Sequence, residues 1–238
     1  MSLNNAQIEA KLLIKMITNI NINDFNMVKI DEEDILGIYV YGSRLWGTDN
    51  ENSDLDYAII LDNKSSIWKF HEKCYIQKES EDIDLHIMSV DYYEDLVRNC
   101  DEFGLSIYFQ KYPLLKYNDT VWIGELSLQD LRKQFSSKAN NSYVKAKKKL
   151  QDGEAKIAYK SLYHSIRILD FGRKIAEEII AEENRIYDMT SFGESIEWFE
   201  QCFEVEKLPW EEIHKIFKPI FNDYATEFKK LAPKTPKT

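Results

Sequence analysis

Three short apolar runs, all ending before residue 90, most constrain how this chain folds, because two of them carry carboxylates where a buried strand cannot leave them unpartnered. Ile35-Leu36-Gly37-Ile38-Tyr39-Val40-Tyr41 is β-rich and nearly all apolar, the pattern of a strand covered on both faces. It breaks at Gly42-Ser43. A polar loop, Gly47 to Ser53, then leads into Asp54-Leu55-Asp56-Tyr57-Ala58-Ile59-Ile60-Leu61, a second strand that begins on two carboxylates. Ile83-Asp84-Leu85-His86-Ile87-Met88 alternates cleanly and carries a further carboxylate inside the run.

The remaining segments read as helices. Residues 6–20 place Ile8, Leu12, Leu13, Met16, Ile17 and Ile20 at helical spacing. Residues 65–80 are ambiguous, a helix that turns into a strand, and helices follow over 91–99 and 101–110. Beyond Trp122 the pattern is helical throughout. Long amphipathic helices cover 126–151 and 154–182, parted by Asp152-Gly153, with further helical regions over 191–203 and from Pro209 to about Phe228. The fold class is α+β: a small mixed β-sheet core over residues 1–120, an all-helical domain over 121–230, and a disordered tail over 231–238.

Composition narrows the functional classes. Of 238 residues, 44% are hydrophobic and 13% aromatic, enough to build a packed core. The net charge of −10 weighs against a protein that tracks long stretches of nucleic-acid backbone, so nucleic acid is not the favoured partner. Cys74, Cys100 and Cys202 fit neither a zinc spacing nor a disulfide framework. No signal-peptide pattern opens the chain and no run reaches a membrane span, so a cytoplasmic location with no membrane partner is expected. The oligomeric state is not legible.

Asp54 and Asp56, at i and i+2 on a strand, project from one face. Two ionised carboxylates that close repel, and a divalent cation between them removes the cost. Mg²⁺ favours a few carboxylates completed by substrate phosphate oxygens. The Gly42-Ser43 turn is the complementary half: glycine permits close backbone approach to a phosphate, and the Ser43 hydroxyl with following N–H groups can donate to its oxygens. A helix starting at Arg44 would add positive potential. Asp84 is positioned to complete a two-metal clamp. Asp82, two residues earlier on the same face, is the rival third carboxylate, and Asp84 is preferred because Ile83, Leu85 and Ile87 frame it.

Gly42-Ser43 … Asp54-Leu55-Asp56 … Asp84 resembles the signature of the polymerase-β-like nucleotidyltransferase superfamily. The wording Gly42-Ser43-Arg44-Leu45-Trp46-Gly47-Thr48 … Ser53-Asp54-Leu55-Asp56-Tyr57 is similar to its "predicted nucleotidyltransferase" branch, as is the helical segment Lys160-Ser161-Leu162-Tyr163-His164-Ser165-Ile166-Arg167. The resemblance implies two Mg²⁺ ions, with Mn²⁺ as an alternative, held by Asp54, Asp56 and Asp84, the last also helping to activate the acceptor hydroxyl. Gly42 and Ser43 would lie against the triphosphate of an NTP. Which NTP and which acceptor stay open, since superfamily members modify RNA ends, antibiotics, proteins and free nucleotides.

Other features carry two readings each. Lys160, His164 and Arg167, at i, i+4 and i+7, form either a stripe reaching the triphosphate or acceptor, or a solvated face. Lys145 to Lys149 is a local basic patch, solvated or guiding a polyanion. Arg44 is a candidate phosphate contact, His86 lines the pocket or packs, and Trp46 is a lid or loop packing. The expected reaction is NTP plus an acceptor hydroxyl, on a small molecule or protein, giving a nucleotidyl-acceptor and pyrophosphate. RNA 3′-end modification is the enzymatic alternative, and a nucleotide-binding regulatory protein without turnover is the third.

Overall fold

Alternation along the strands decides which residues face the hydrophobic core and which are left for chemistry. The computed structural model describes residues 3–18, 30–71, 73–79, 82–115, 125–182, 185–192 and 208–234. Two compact units interleave in sequence. The first takes its described residues from Met1–Val97, Phe103–Ile123 and Ile186–Thr190, the second from Arg98–Glu102, Gly124–Arg185 and Ser191–Thr238.

In the first unit, helix α1 (Leu3–Ile17) is followed by β1 (Ile35–Val40), the one-turn α2 (Gly42–Leu45), β2 (Leu55–Leu61), a 3₁₀ turn at Ser66–Phe70, β3 (Tyr75–Glu79), β4 (Ile83–Ser89), α3 (Val90–Arg98) and α4 (Glu102–Tyr108). The sheet order is β1-β2-β4-β3. β1 runs antiparallel to β2, β2 parallel to β4, and β3 antiparallel to β4, so the sheet is mixed. The ambiguous stretch 65–80 is thus a 3₁₀ turn and then an edge strand.

One sheet face packs on α1: Ala10, Leu13 and Ile17 meet Tyr57, Ile59 and Leu61 of β2 and Leu85 and Ile87 of β4. With a side-chain period of two, Asp56, Ala58, Asp84 and His86 must then lie on the opposite face. The outer edge of β1 is not left open, because Ile38 exchanges backbone hydrogen bonds with Leu115 and Leu114, at 2.8–3.0 Å. Residues 186–190 return to this unit through a parallel bridge between Gln110 and Tyr187.

The second unit is built on α5 (Leu128–Gln151), α6 (Ala155–Ala181) and α7 (Trp210–Leu231). Ser127 caps α5, its hydroxyl accepting from the Asp130 N–H at 3.2 Å. Gly153, at φ +82°, turns the chain between α5 and α6. Helix α6 is buried around most of its girth between its neighbours. Where the helices cross, a β-carbon at Gly172 would lie 2.7 Å from the Phe135 ring and 3.2 Å from that of Phe228. Arg132 closes the end of α7 by donating to the carbonyls of Ala232 and Lys229, at 2.7 and 3.2 Å.

Of the helix expected over 191–203, residues 193–203 lie outside the described residues, as does Cys202. Residues 235–238 of the expected tail do too. Cys74 and Cys100 are free thiols. No helix among the described residues is long and apolar enough to cross a membrane.

Candidate active site

The turn after β1 and the start of β2 are fitted to each other. Tyr41 remains extended and donates its N–H to the Asp56 carbonyl at 2.8 Å. Gly42 then takes φ +60°, a conformation that only glycine adopts at little cost. A β-carbon there would lie 1.6 Å from Asp56 Oδ2 and 2.4 Å from its Cγ. The Asp56 carboxylate therefore lies directly against the Gly42 α-carbon. Ser43 is 5% exposed, and among the described residues its Oγ has no hydrogen-bond partner. Its carbonyl accepts from the N–H groups of Trp46 and Thr48, at 3.2 and 2.9 Å, which ties the loop together. Trp46 is buried, so it packs the loop and is not a lid. The helix expected to start at Arg44 starts at Gly42 and is a single turn, too short to sum peptide dipoles into an appreciable macrodipole.

Asp56 and Asp84 are direct register partners on the parallel strands β2 and β4. Asp54 lies just outside β2 and is exposed. Asp82 is also exposed and outside its strand, where its carbonyl accepts from the Leu55 N–H at 2.8 Å. So Asp84, and not Asp82, shares a sheet position with Asp56. The structure brings Asp56, Asp84, Gly42 and Ser43 into one neighbourhood. It does not draw Asp54 in as a third converging ligand: among the described residues, no group of three His, Cys, Asp or Glu side chains is gathered closely enough to hold a metal ion.

Asp84 meets its need for partners within the protein. Gln77 Nε2 donates to both carboxylate oxygens, at 3.1 and 3.3 Å, and His86 Nε2 lies 3.3 Å from Oδ2. The His86 Nδ1 is 2.6 Å from the Tyr75 hydroxyl. Burial, reinforced by electrostatic interaction with Tyr92 and Asp84, pushes the Tyr75 phenol up to about 12. Tyr75 and Gln77 were not among the residues singled out from sequence. The alternation Tyr75-x-Gln77-x-Glu79, set against Asp84-x-His86 in a β3–β4 hairpin, was the available signal.

Arg44 is engaged on the α1 side. Its Nη1 lies 3.4 Å from Glu9 Oε1, which also accepts from the Tyr57 hydroxyl at 2.7 Å. Arg44 also borders a cavity of about 220 Å³, together with Leu45, Asp49, Gln110 and Tyr187.

In the second unit, Lys160, His164 and Arg167 do not form a solvated cationic stripe. Arg167 is buried and donates to Glu102 Oε1 at 3.0 Å, while Lys138 holds Glu102 Oε2 at 3.0 Å. Burial alone would raise the Glu102 carboxyl, but Arg167 and Lys138 outweigh it and bring it down to about 2. Arg167 Nε also donates to His164 Nδ1 at 3.1 Å. Burial first, then the Arg167 charge, lowers His164 to about 3, so its imidazole is neutral at neutral pH. Lys160 is half-buried and, among the described residues, forms no ion pair.

Residues 23–112 match the family described as Polymerase beta, Nucleotidyltransferase. That span contains the Gly42-Ser43 turn and all three aspartates. Residues 23–112 are thus similar to a polymerase-β-like nucleotidyltransferase domain, and helices follow that span. Among solved structures, it is similar to a nucleotidyltransferase-like protein from Exiguobacterium sibiricum 255-15, at 11% identity and a TM-score of 0.31, over 83% of this chain and 72% of that one. No curated protein matches the chain.

Proposed function

We propose that this protein transfers a nucleotidyl group from an NTP to an acceptor hydroxyl and releases pyrophosphate, using divalent cations held by Asp54, Asp56 and Asp84. The observation that carries this reading is the placement of Asp56, backed against Gly42 and in register with Asp84. The donors facing a hard cation are the carboxylate oxygens of Asp56 and Asp84 on one sheet face, beside a serine hydroxyl with no hydrogen-bond partner among the described residues; Asp54, exposed just outside β2, must swing in to complete the set.

The Asp56 carboxylate fills the side-chain space at Gly42, so phosphate oxygens would meet the turn at its backbone N–H groups, and Ser43 Oγ has a hydrogen bond to give. The acceptor oxygen forms its bond to the α-phosphorus as the bond from that phosphorus to the β-phosphate bridge breaks, and pyrophosphate leaves. When bound, Mg²⁺ or Mn²⁺ supplies charge neutralisation at the triphosphate and makes the acceptor hydroxyl easier to deprotonate. Asp84 orients the acceptor side, and the proton leaves toward solvent. Arg44 is assigned a point-charge contact to phosphate that requires release from Glu9. Positioning and charge neutralisation carry the rate.

The favoured acceptor is a small molecule or a protein, because the net charge of −10 opposes extended nucleic-acid contact. One observation supports RNA 3′ ends as a second reading: Lys145, Lys147 and Lys148 are exposed on α5. The test incubates the protein with each labelled NTP, Mg²⁺, and in turn small hydroxyl compounds, proteins and a tRNA-rich pool. Pyrophosphate release and label transfer should require Mg²⁺ and vanish in Asp56→Ala. Metal-dependent NTP binding with no transfer to any acceptor would replace catalysis by a regulatory nucleotide-binding role.

A further inference from the structure

We infer that Tyr75 and His86 form a hydrogen-bonded arm that sets the orientation of the Asp84 carboxylate, so that both are positioning residues for the candidate site. This rests on the reading of Asp84 as a cation ligand given above.

The arm is continuous. The Tyr75 hydroxyl lies 2.6 Å from His86 Nδ1, and His86 Nε2 lies 3.3 Å from Asp84 Oδ2. The arm assigns the Tyr75 hydroxyl as donor to Nδ1, at 2.6 Å. With Nδ1 accepting, the ring proton sits on Nε2, which faces Asp84 Oδ2 at 3.3 Å and donates to it. One side chain therefore fixes the tautomer through which another is held, the relation found between ligands and their outer partners in metal sites.

Rings prevent the imidazole from swinging away. Phe103 and Tyr41 lie 5.1 and 5.8 Å from it between centroids, and Tyr92 stacks on Tyr75 at 5.2 Å. Only 15% of the His86 side chain and 18% of that of Asp84 are exposed. Gln77 Nε2 is shared between both Asp84 oxygens, at 3.1 and 3.3 Å, so it holds the carboxylate without choosing between them. His86 touches Oδ2 alone and so breaks that symmetry. The remaining lone pairs of Asp84 are thereby aimed consistently, while Asp82 and Asp54 are exposed outside their strands.

Tyr75→Phe keeps the ring stack and removes only the O–H, so it separates the arm from packing. In the full-length protein, ¹⁵N NMR should show His86 as a single Nε2–H tautomer, and Tyr75→Phe should mix the two. Mn²⁺ affinity measured without nucleotide should fall by roughly tenfold or more, the usual loss for an outer partner, with melting temperature unchanged. If turnover is present, kcat should fall while KM for NTP holds. His86→Gln offers an amide donor to Asp84 directly, so it should retain more Mn²⁺ affinity than His86→Leu. Adding Tyr75→Phe to His86→Gln should then change nothing further.

Wild-type Mn²⁺ affinity in Tyr75→Phe overturns the inference, as does an equal loss from Tyr75→Phe in the His86→Gln background. Failure of the underlying reading looks different: the wild type itself binds no Mn²⁺ and Asp56→Asn alters nothing, while the tautomer still follows Tyr75. That result keeps the arm as the device that orients Asp84 and removes its role in cation binding.

Discussion

The carboxylate of Asp56 occupies the space that a β-carbon at Gly42 would need, with Oδ2 1.6 Å from that position. Residue 42 is therefore glycine for two independent reasons, since its φ of +60° also disfavours any other residue. Gly42→Ala should cost about 1–2 kcal/mol in backbone strain and push Asp56 off its place. An ångström of misplacement costs on the order of 100-fold in rate, whereas the strain lowers the melting temperature by only about 2–8 °C. Pyrophosphate release and thermal melts measured on the same preparation separate the two. Wild-type turnover in Gly42→Ala would show that the contact does not set the site.

The carboxylates should divide by role. Asp54→Ala and Asp56→Ala should abolish turnover and most Mg²⁺-dependent NTP binding while circular dichroism stays native. Asp84→Asn should lose chemistry more than NTP binding, because its place is on the acceptor side. Asp82→Asn is the control, being exposed and outside its strand. An inactive Asp82→Asn beside an active Asp84→Asn would mean that the wrong carboxylate had been chosen.

How legible all this was depends on the kind of interaction. Period-two alternation in β2 and β4 is local, so the strands were readable from residues alone, whereas the pairing of Asp56 with Asp84 arises only from the register of the two strands. The Gly-Ser turn was readable as a motif, but not the 1.6 Å reason for its glycine, which arises only when β1 and β2 pair. Tyr75 and Gln77 were missed because β3 is a short edge strand whose period is obscured by Lys78 and Glu79. Arg167 read as one of three equivalent cations. Its partner Glu102 is 65 residues away in sequence, and no periodicity reports such a pair.

Lys160 and Arg167 should now behave differently. Lys160→Ala should leave the melting temperature little changed, and only a loss of NTP affinity of about 1–3 kcal/mol, the range of charge-assisted hydrogen bonds, would give that lysine a phosphate contact. Arg167→Ala leaves Glu102 buried against Lys138 alone and should cost about 3–5 kcal/mol of stability. Titration calorimetry with a nonhydrolysable NTP, alongside chemical denaturation, reads both. An unchanged affinity in Lys160→Ala would reduce that lysine to a surface charge.

The buried cluster of Glu102, Arg167 and His164 should make the helical unit acid-labile in two stages. Both titrating groups are lowered in the folded state: His164 to about 3 from an ordinary 6.5, and Glu102 to about 2 from 4.5. In each case the unfolded chain takes up a proton that the folded chain refuses, so stability rises with pH across the gap and is lost as pH falls. The His164 contribution is whole above 6.5 and drains as pH falls toward 3, whereas that of Glu102 is whole above 4.5 and drains toward 2. Unfolding free energy should thus be flat above 6.5, decline below it, and decline more steeply once Glu102 joins below 4.5. His164→Gln keeps an acceptor for the Arg167 N–H without a titrating ring. It should erase the upper stage and leave the lower one. Urea denaturation of both proteins from about pH 7 down to about pH 4 measures the slopes directly. If the His164→Gln protein keeps the wild-type slope between 6.5 and 4.5, the imidazole is not the group that titrates there.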